Sequence, residues 1–144
     1  MKISIVMSTY NGEKFVIEQL DSLRNQTVSA NEVIIADDCS TDNTVSLISN
    51  YIAKYKLTNW SVLVNQENLG WRKNFMEALW KSNGEIVFTC DQDDIWRQDK
   101  LEIMTNLMNE HKEISLLTSN YKEFYDDGHT TIGPWKNDKN LKQI

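Results

Sequence analysis

The sequence predicts an α/β fold, an open and mostly parallel sheet flanked by helices. Short apolar, β-rich runs alternate with segments of helical periodicity, each run stops abruptly at a polar loop, and the connections are short. Parallel strands joined through helices need right-handed crossovers, which layer helices on the sheet. The 144 residues suit a single domain, 1–144, burying about 70% of the unfolded chain's surface.

The first run, Ile3 to Met7, leads into Ser8-Thr9-Tyr10-Asn11-Gly12. Phe15, Val16, Leu20 and Leu23 then recur at helical spacing through Gln26, with Asn11 available as cap. The second run, Glu32 to Ala36, stops at Asp37-Asp38-Cys39-Ser40-Thr41-Asp42. Val45, Ile48 and Ile52 follow on one helical face, with Ser40 or Thr41 as cap. Trp60 to Val64 leads into the loop Asn65 to Gly70, and Phe75, Ala78, Leu79 and Ser82 mark a helix that Asn83-Gly84 terminates. The fourth run, Glu85 to Cys90, ends in the acidic loop Asp91-Gln92-Asp93-Asp94. Leu101, Met104, Leu107, Met108 and His111 then form an amphipathic face. Ile114 to Thr118 reads as a fifth strand, and Asp127-Gly128 as a hairpin turn before a polar tail.

Right-handed crossovers place the loops that follow the strands on one sheet edge, where open α/β sheets bind ligands. Two like charges about 4 Å apart repel by roughly 4 kcal/mol at an effective dielectric near 20, so the acidic loop suits a hard divalent cation. The same stretch also reads as a solvated turn in which Asp94 caps the next helix; spacing alone leaves both readings open. Gly12, Gly70, Gly84, Gly128 and Gly133 are too scattered for a dinucleotide turn or a P-loop. A cation bridging phosphate oxygens to carboxylates is the available substitute, and Mg²⁺ or Mn²⁺ accepts such ligands. It would also neutralise a departing diphosphate.

A net charge of -6 and a pI near 4.9 argue against nucleic acid as a partner. The run Met1 to Met7 is too short for a signal peptide, and no stretch approaches the apolar length of a membrane span. The expectation is a cytoplasmic protein, with the inner face of the membrane as the other location. Cys39 and Cys90 lack metal-type spacing and read as free thiols.

Val6 to Gly12, Ile35 to Thr44, Asn68-Leu69-Gly70 and Asp91-Gln92-Asp93-Asp94-Ile95-Trp96 together resemble, in order and spacing, the N-terminal half of a family 2 glycosyltransferase, over residues 1 to about 125. The resemblance implies a Rossmann-like fold of GT-A type, with Mn²⁺ or Mg²⁺ as cofactor. It implies inverting transfer from a nucleotide-diphospho-sugar, UDP- or dTDP-linked, to a polysaccharide or lipid-linked acceptor of a bacterial cell envelope. On these positions it places Thr9 and Tyr10 at the nucleoside, Asn11 among the nucleotide-sugar-binding residues, Asp37 on the base, and Asp38 beside it supporting the loop. Asn68 and Gly70 would shape the donor-side loop, and Lys73, or the adjacent Arg72, would reach the pyrophosphate or base. Asp91 and Gln92 would lie on the donor, with Asp91, Asp93 and Asp94 as metal ligands and Asp93 the direct one. Trp71 and Trp80 read as packing or surface residues, and Trp96 as packing beneath the acidic loop.

The family's catalytic carboxylate belongs to a later segment followed by a helical acceptor region, and this chain stops at Ile144. The expectation is therefore a C-terminally truncated chain, its base lying elsewhere, that binds donor better than it transfers sugar. Asp126-Asp127 falls in the hairpin tip and is not assigned as the base. An incomplete acceptor side would expose apolar surface, so a homodimer is one expectation, and peripheral membrane association of the full-length protein is another. Two other classes stay open. A sugar nucleotidyltransferase would need a glycine- and arginine-rich N-terminal loop, which is not seen; a non-catalytic nucleotide-sugar-binding module would keep the same residues.

Overall fold

In the computed structural model, which describes residues 1–125 and 127–132, the strands β1 (Ile3–Thr9), β2 (Glu32–Asp37), β3 (Trp60–Val64) and β4 (Ile86–Asp91) form one parallel sheet, ordered β3-β2-β1-β4. The helices are α1 (Val16–Arg24), α2 (Thr44–Tyr55), α3 (Trp71–Leu79) and α4 (Lys100–Glu110). The chain divides into two compact units, Met1–Leu107 and Met108–Ile144. In the second, β5 (Lys122–Phe124) and β6 (Thr130–Ile132) pair antiparallel. The Asp127-Gly128 turn forms there, Gly128 taking φ +84°.

Central β1 is buried along its whole length, whereas edge strand β4 alternates buried and exposed residues. Register puts Ile5 between Val33 and Phe88, and Val6 between Ile34 and Thr89. These are the two faces of the sheet. α1 and α2 carry the chain from β1 outward to β3, and α3 carries it back to β4, so right-handed connections put α3 on the opposite face. There Phe75, Ala78 and Leu79 pack on Val6, Ile34, Ala36 and Leu63. The other face presents Ile5, Met7, Val33, Ile35, Phe88 and Cys90, all buried. Each such large apolar side chain contributes about 1.5–3 kcal/mol by burial.

α1 and α2 are joined by Tyr51, whose hydroxyl donates to Asp21 at 2.6 Å and accepts from Arg24 Nε at 2.8 Å. Among the described residues no helix is long and apolar enough to cross a membrane.

Several local expectations are corrected. Ile114 to Thr118 forms no strand, and Leu116 is 83% exposed. The composition suits a strand, but a strand needs a neighbouring strand to pair its N–H and C=O groups, and among the described residues no strand lies beside this run. Asn11 does not cap α1, which begins at Val16 after Phe15 without a side-chain cap. Ser40 and Thr41 do not cap α2; the Asp42 carboxylate accepts from Thr44 N instead, at 2.9 Å. Gly84 does not stop α3, which ends at Leu79. Its role is close approach, since a Cβ there would lie 2.6 Å from Ser4 N and 2.8 Å from Ile86 O. Asp126 lies outside the described residues.

Candidate functional site

The loops after β1, β2, β3 and β4 meet at the carboxyl edge of the sheet, stitched by side chains bonded to the neighbouring loop's backbone. Asn11, at φ +48°, donates its N–H to Ser40 Oγ at 2.9 Å and accepts from Thr41 N at 2.8 Å. Asn is among the few residues that tolerate this left-handed conformation. Gly12 N donates to Thr44 Oγ1 at 2.8 Å. Beneath this clasp, the Asp37 carboxylate accepts from Thr9 Oγ1 at 2.8 Å, Ser40 N at 2.8 Å and Ser40 Oγ at 2.6 Å. Thr9 and Asp37 are buried, so both side chains hold the loops from below. Tyr10 keeps 47% of its surface exposed.

Asp38 is also buried and turns toward the third loop. Its carboxylate accepts from Leu69 N at 2.7 Å, Gly70 N at 2.8 Å and Asn65 Nδ2 at 2.9 Å. A carboxylate from the loop after β2 thus sits at the N-terminus of α3, where the helix dipole favours it. Gly70 takes φ +80° there, a conformation that favours glycine. Asn68 Nδ2 donates to Asp38 O at 3.2 Å. The hub behind them is Asn74, a buried α3 residue absent from the sequence-based site list. It donates to Ser8 Oγ and Ala36 O, both at 2.8 Å, and accepts from Asn65 Nδ2 at 2.9 Å. The signal was an uncharged polar residue one helical turn before Ala78 and next to Phe75, on the side of α3 that the apolar spacing turns to the sheet.

The acidic loop starts where β4 passes Ser8. Asp94 Oδ2 accepts from Asp91 N at 3.3 Å. Partial burial, then the charges of Asp94 and Asp93, raise the Asp91 carboxyl above its usual range. Lys100 lies over the Trp96 ring at 4.1 Å, and burial pulls its ammonium below the usual lysine range. Trp96 itself is buried against Phe88, while Trp71 and Trp80 are exposed. Burial pushes the Cys90 thiol up to about 12, leaving it inert at neutral pH.

Beside Asp91 and Asp94 opens a cavity of ≈ 560 Å³, walled by Trp71, Arg72, Phe75, Met76 and Leu79 of α3 and by Thr89 and Cys90 of β4. Arg72, Phe75, Met76 and Leu79 recur at the spacing of one helical face, which selects Arg72 as the inward cation. Lys73 does not line the cavity; it lies 3.9 Å from Glu77, exposed. Among the described residues no three His, Cys, Asp or Glu side chains form a ready-made metal cluster. The donor set nonetheless fits a hard cation: crowded carboxylate oxygens, one with a raised pKa, and room for phosphate and water ligands.

A folded-state pKa raised above the unfolded value means that the native state holds the proton more tightly. The stability from Asp91 is then full below the unfolded pKa and is lost as pH rises through the folded value. Asp91→Asn should therefore raise the melting temperature of the metal-free chain at pH 7, the gap closing toward about pH 4. Thermal unfolding at a series of pH values checks this; equal melting at pH 7 contradicts it.

Residues 4–143 match the sequence profile described as Glycosyl transferase family 2. The chain belongs to glycosyltransferase family 2. One relative in the family is the uncharacterized protein Rv1520 of Mycobacterium tuberculosis, 35% identical over 88% of this chain and 37% of that protein. Another is the poly(ribitol-phosphate) β-N-acetylglucosaminyltransferase TarS of Staphylococcus aureus, 34% identical over 81% of this chain and 20% of that protein. The crystal structure of S. aureus TarS 1-349 in complex with UDP-GlcNAc superposes with a TM-score of 0.70, at 36% identity over 78% of this chain and 32% of that one. The mannosyltransferase PcManGT of Pyrobaculum calidifontis, solved with GDP-Man and Mn²⁺, gives 0.69 at 25% identity over 74% of this chain and 32% of that one. The chain spans well under half the length of these relatives, and it shares with the two solved structures a mostly parallel sheet flanked by helices, of GT-A type.

Proposed function

We propose that this chain forms the donor half of an inverting, divalent-metal-assisted glycosyltransferase. Its donor is a UDP- or dTDP-sugar and its acceptor a bacterial polysaccharide or lipid-linked precursor at the inner face of the membrane. The observation that carries the reading is the crowded acidic loop, with Asp91 raised in pKa, set between the Tyr10 loop and the α3 cavity. The nucleoside lies against Tyr10, on loops held from below by Thr9, Asp37 and Asn11. Asp91, Asp93 and Asp94 are the residues that would hold Mn²⁺ or Mg²⁺, which supplies charge neutralisation of the diphosphate. Arg72 adds a second positive group there, and the cavity takes the sugar end of the donor. Transfer forms a bond from the acceptor oxygen to the anomeric carbon as the bond to the diphosphate breaks, which inverts that carbon, and the acceptor hydroxyl gives its proton to a general base.

Calorimetric titration with UDP, with and without Mn²⁺, tests the reading. Mn²⁺ should tighten UDP binding by about tenfold or more, and Asp93→Ala should lose that gain, about 1.4 kcal/mol per factor of ten. UDP binding that ignores both the metal and the substitution would overturn it.

A further inference from the structure

We propose that Gln92 is a positioning residue: its carboxamide fixes the separation between the Tyr10 loop and the acidic loop, with Gly12 as its seat. Tyr10 N donates to Gln92 Oε1 at 2.8 Å, and Gln92 Nε2 donates to Tyr10 O at 3.1 Å. One side chain thus closes both bonding groups of a residue on another strand's loop. A Cβ on Gly12 would stand 2.2 Å from Gln92 Oε1 and 2.4 Å from its Cδ, so the amide rests directly on the glycine backbone. Gln92 is half-buried while Asp91 and Asp93 on either side stay at the surface.

The placement explains why a side chain is needed. The β1–β4 ladder ends at Ser8 opposite Asp91, and beyond it the two chains no longer exchange backbone bonds. The Gln92 carboxamide, a peptide group in miniature, continues the pairing one step further. The Tyr10 loop is clasped separately to the loop after β2 through Asn11 and Gly12. Gln92 ties that assembly to the carboxylates. A ligand reaching from Tyr10 to the acidic loop senses their separation; a ligand touching one loop does not.

The inference rests on the nucleotide reading above, and three probes separate the two. UDP spans both loops, uridine reaches the first and Mn²⁺ alone the second. Gln92→Leu should weaken UDP by about tenfold or more, because misplacement penalises a spanning ligand, while uridine and Mn²⁺ change by less than about twofold. Exchange of the Tyr10 amide hydrogen should accelerate in the same variant. Gly12→Ala, which unseats the amide without touching it chemically, should reproduce the pattern. Equal loss for all three probes, or no loss for UDP, overturns the proposal. A wild-type chain that binds none of the probes defeats the nucleotide reading and the positioning claim with it. An unchanged Tyr10 exchange rate in Gln92→Leu defeats the clasp alone.

Discussion

Asp38→Ala should destabilise the chain by about 2–4 kcal/mol in urea unfolding, because hydrogen bonds to a charged group are worth about 1.5–3 kcal/mol each and three are lost together. The donors are Leu69 N, Gly70 N and Asn65 Nδ2. Water reaches Gly70 and recovers part of the loss, which holds the sum below three full bonds. Asp38→Asn keeps one acceptor oxygen and should cost about half as much. Because total stability is only about 5–15 kcal/mol, the alanine variant sits near the limit of folding. It also frees the start of α3, so the Arg72 wall of the cavity should loosen and nucleotide affinity fall with it. A loss of less than 1 kcal/mol would mean that the third loop is held by its own turn.

Gly84→Ala should cost about 3 kcal/mol, at the upper end for overpacking. The added methyl meets Ser4 N at 2.6 Å and Ile86 O at 2.8 Å, backbone atoms of β1 and of the edge strand β4 that pairs with it. Neither can rotate aside. The same loop is pinned by Asn83, whose N–H and side-chain amide donate to Glu32 at 2.9 and 3.1 Å, while Ser4 Oγ donates to that carboxylate at 2.6 Å. Gly12→Ala is the contrast: its methyl meets only the end of the flexible Gln92 side chain, so stability should change little. Thermal unfolding of both variants ranks them; similar losses would contradict the argument.

The four sheet strands were legible because apolar runs, helical spacing and polar punctuation are local properties. Once the strands were placed, handedness alone brought the four loops to one edge. What local spacing could not reveal is which way a side chain turns when its partner lies far away in sequence. Asp37 read as a ligand-facing acid, yet its oxygens are taken by Thr9 and Ser40; Asp38 read as a loop support, but the loop it holds is the one before α3. Asn74 was passed over for the same reason, its three partners lying on three other elements. The choice between Arg72 and Lys73 needed the helix's true register against the sheet. Ile114 to Thr118 shows the opposite failure, strand composition with no ladder to join.

Of the four described sheet strands, the one that leads into the acidic loop comes last in chain order, and its partner comes first. Until β4 leaves the ribosome, β1 has a neighbour on one side only, and its other edge offers open backbone groups to any passing strand. Closure across so long a loop is the slow, entropically costly step of assembly. A nascent chain is therefore most vulnerable to misassociation in the interval before that strand arrives, and the same event that ends the danger completes the site.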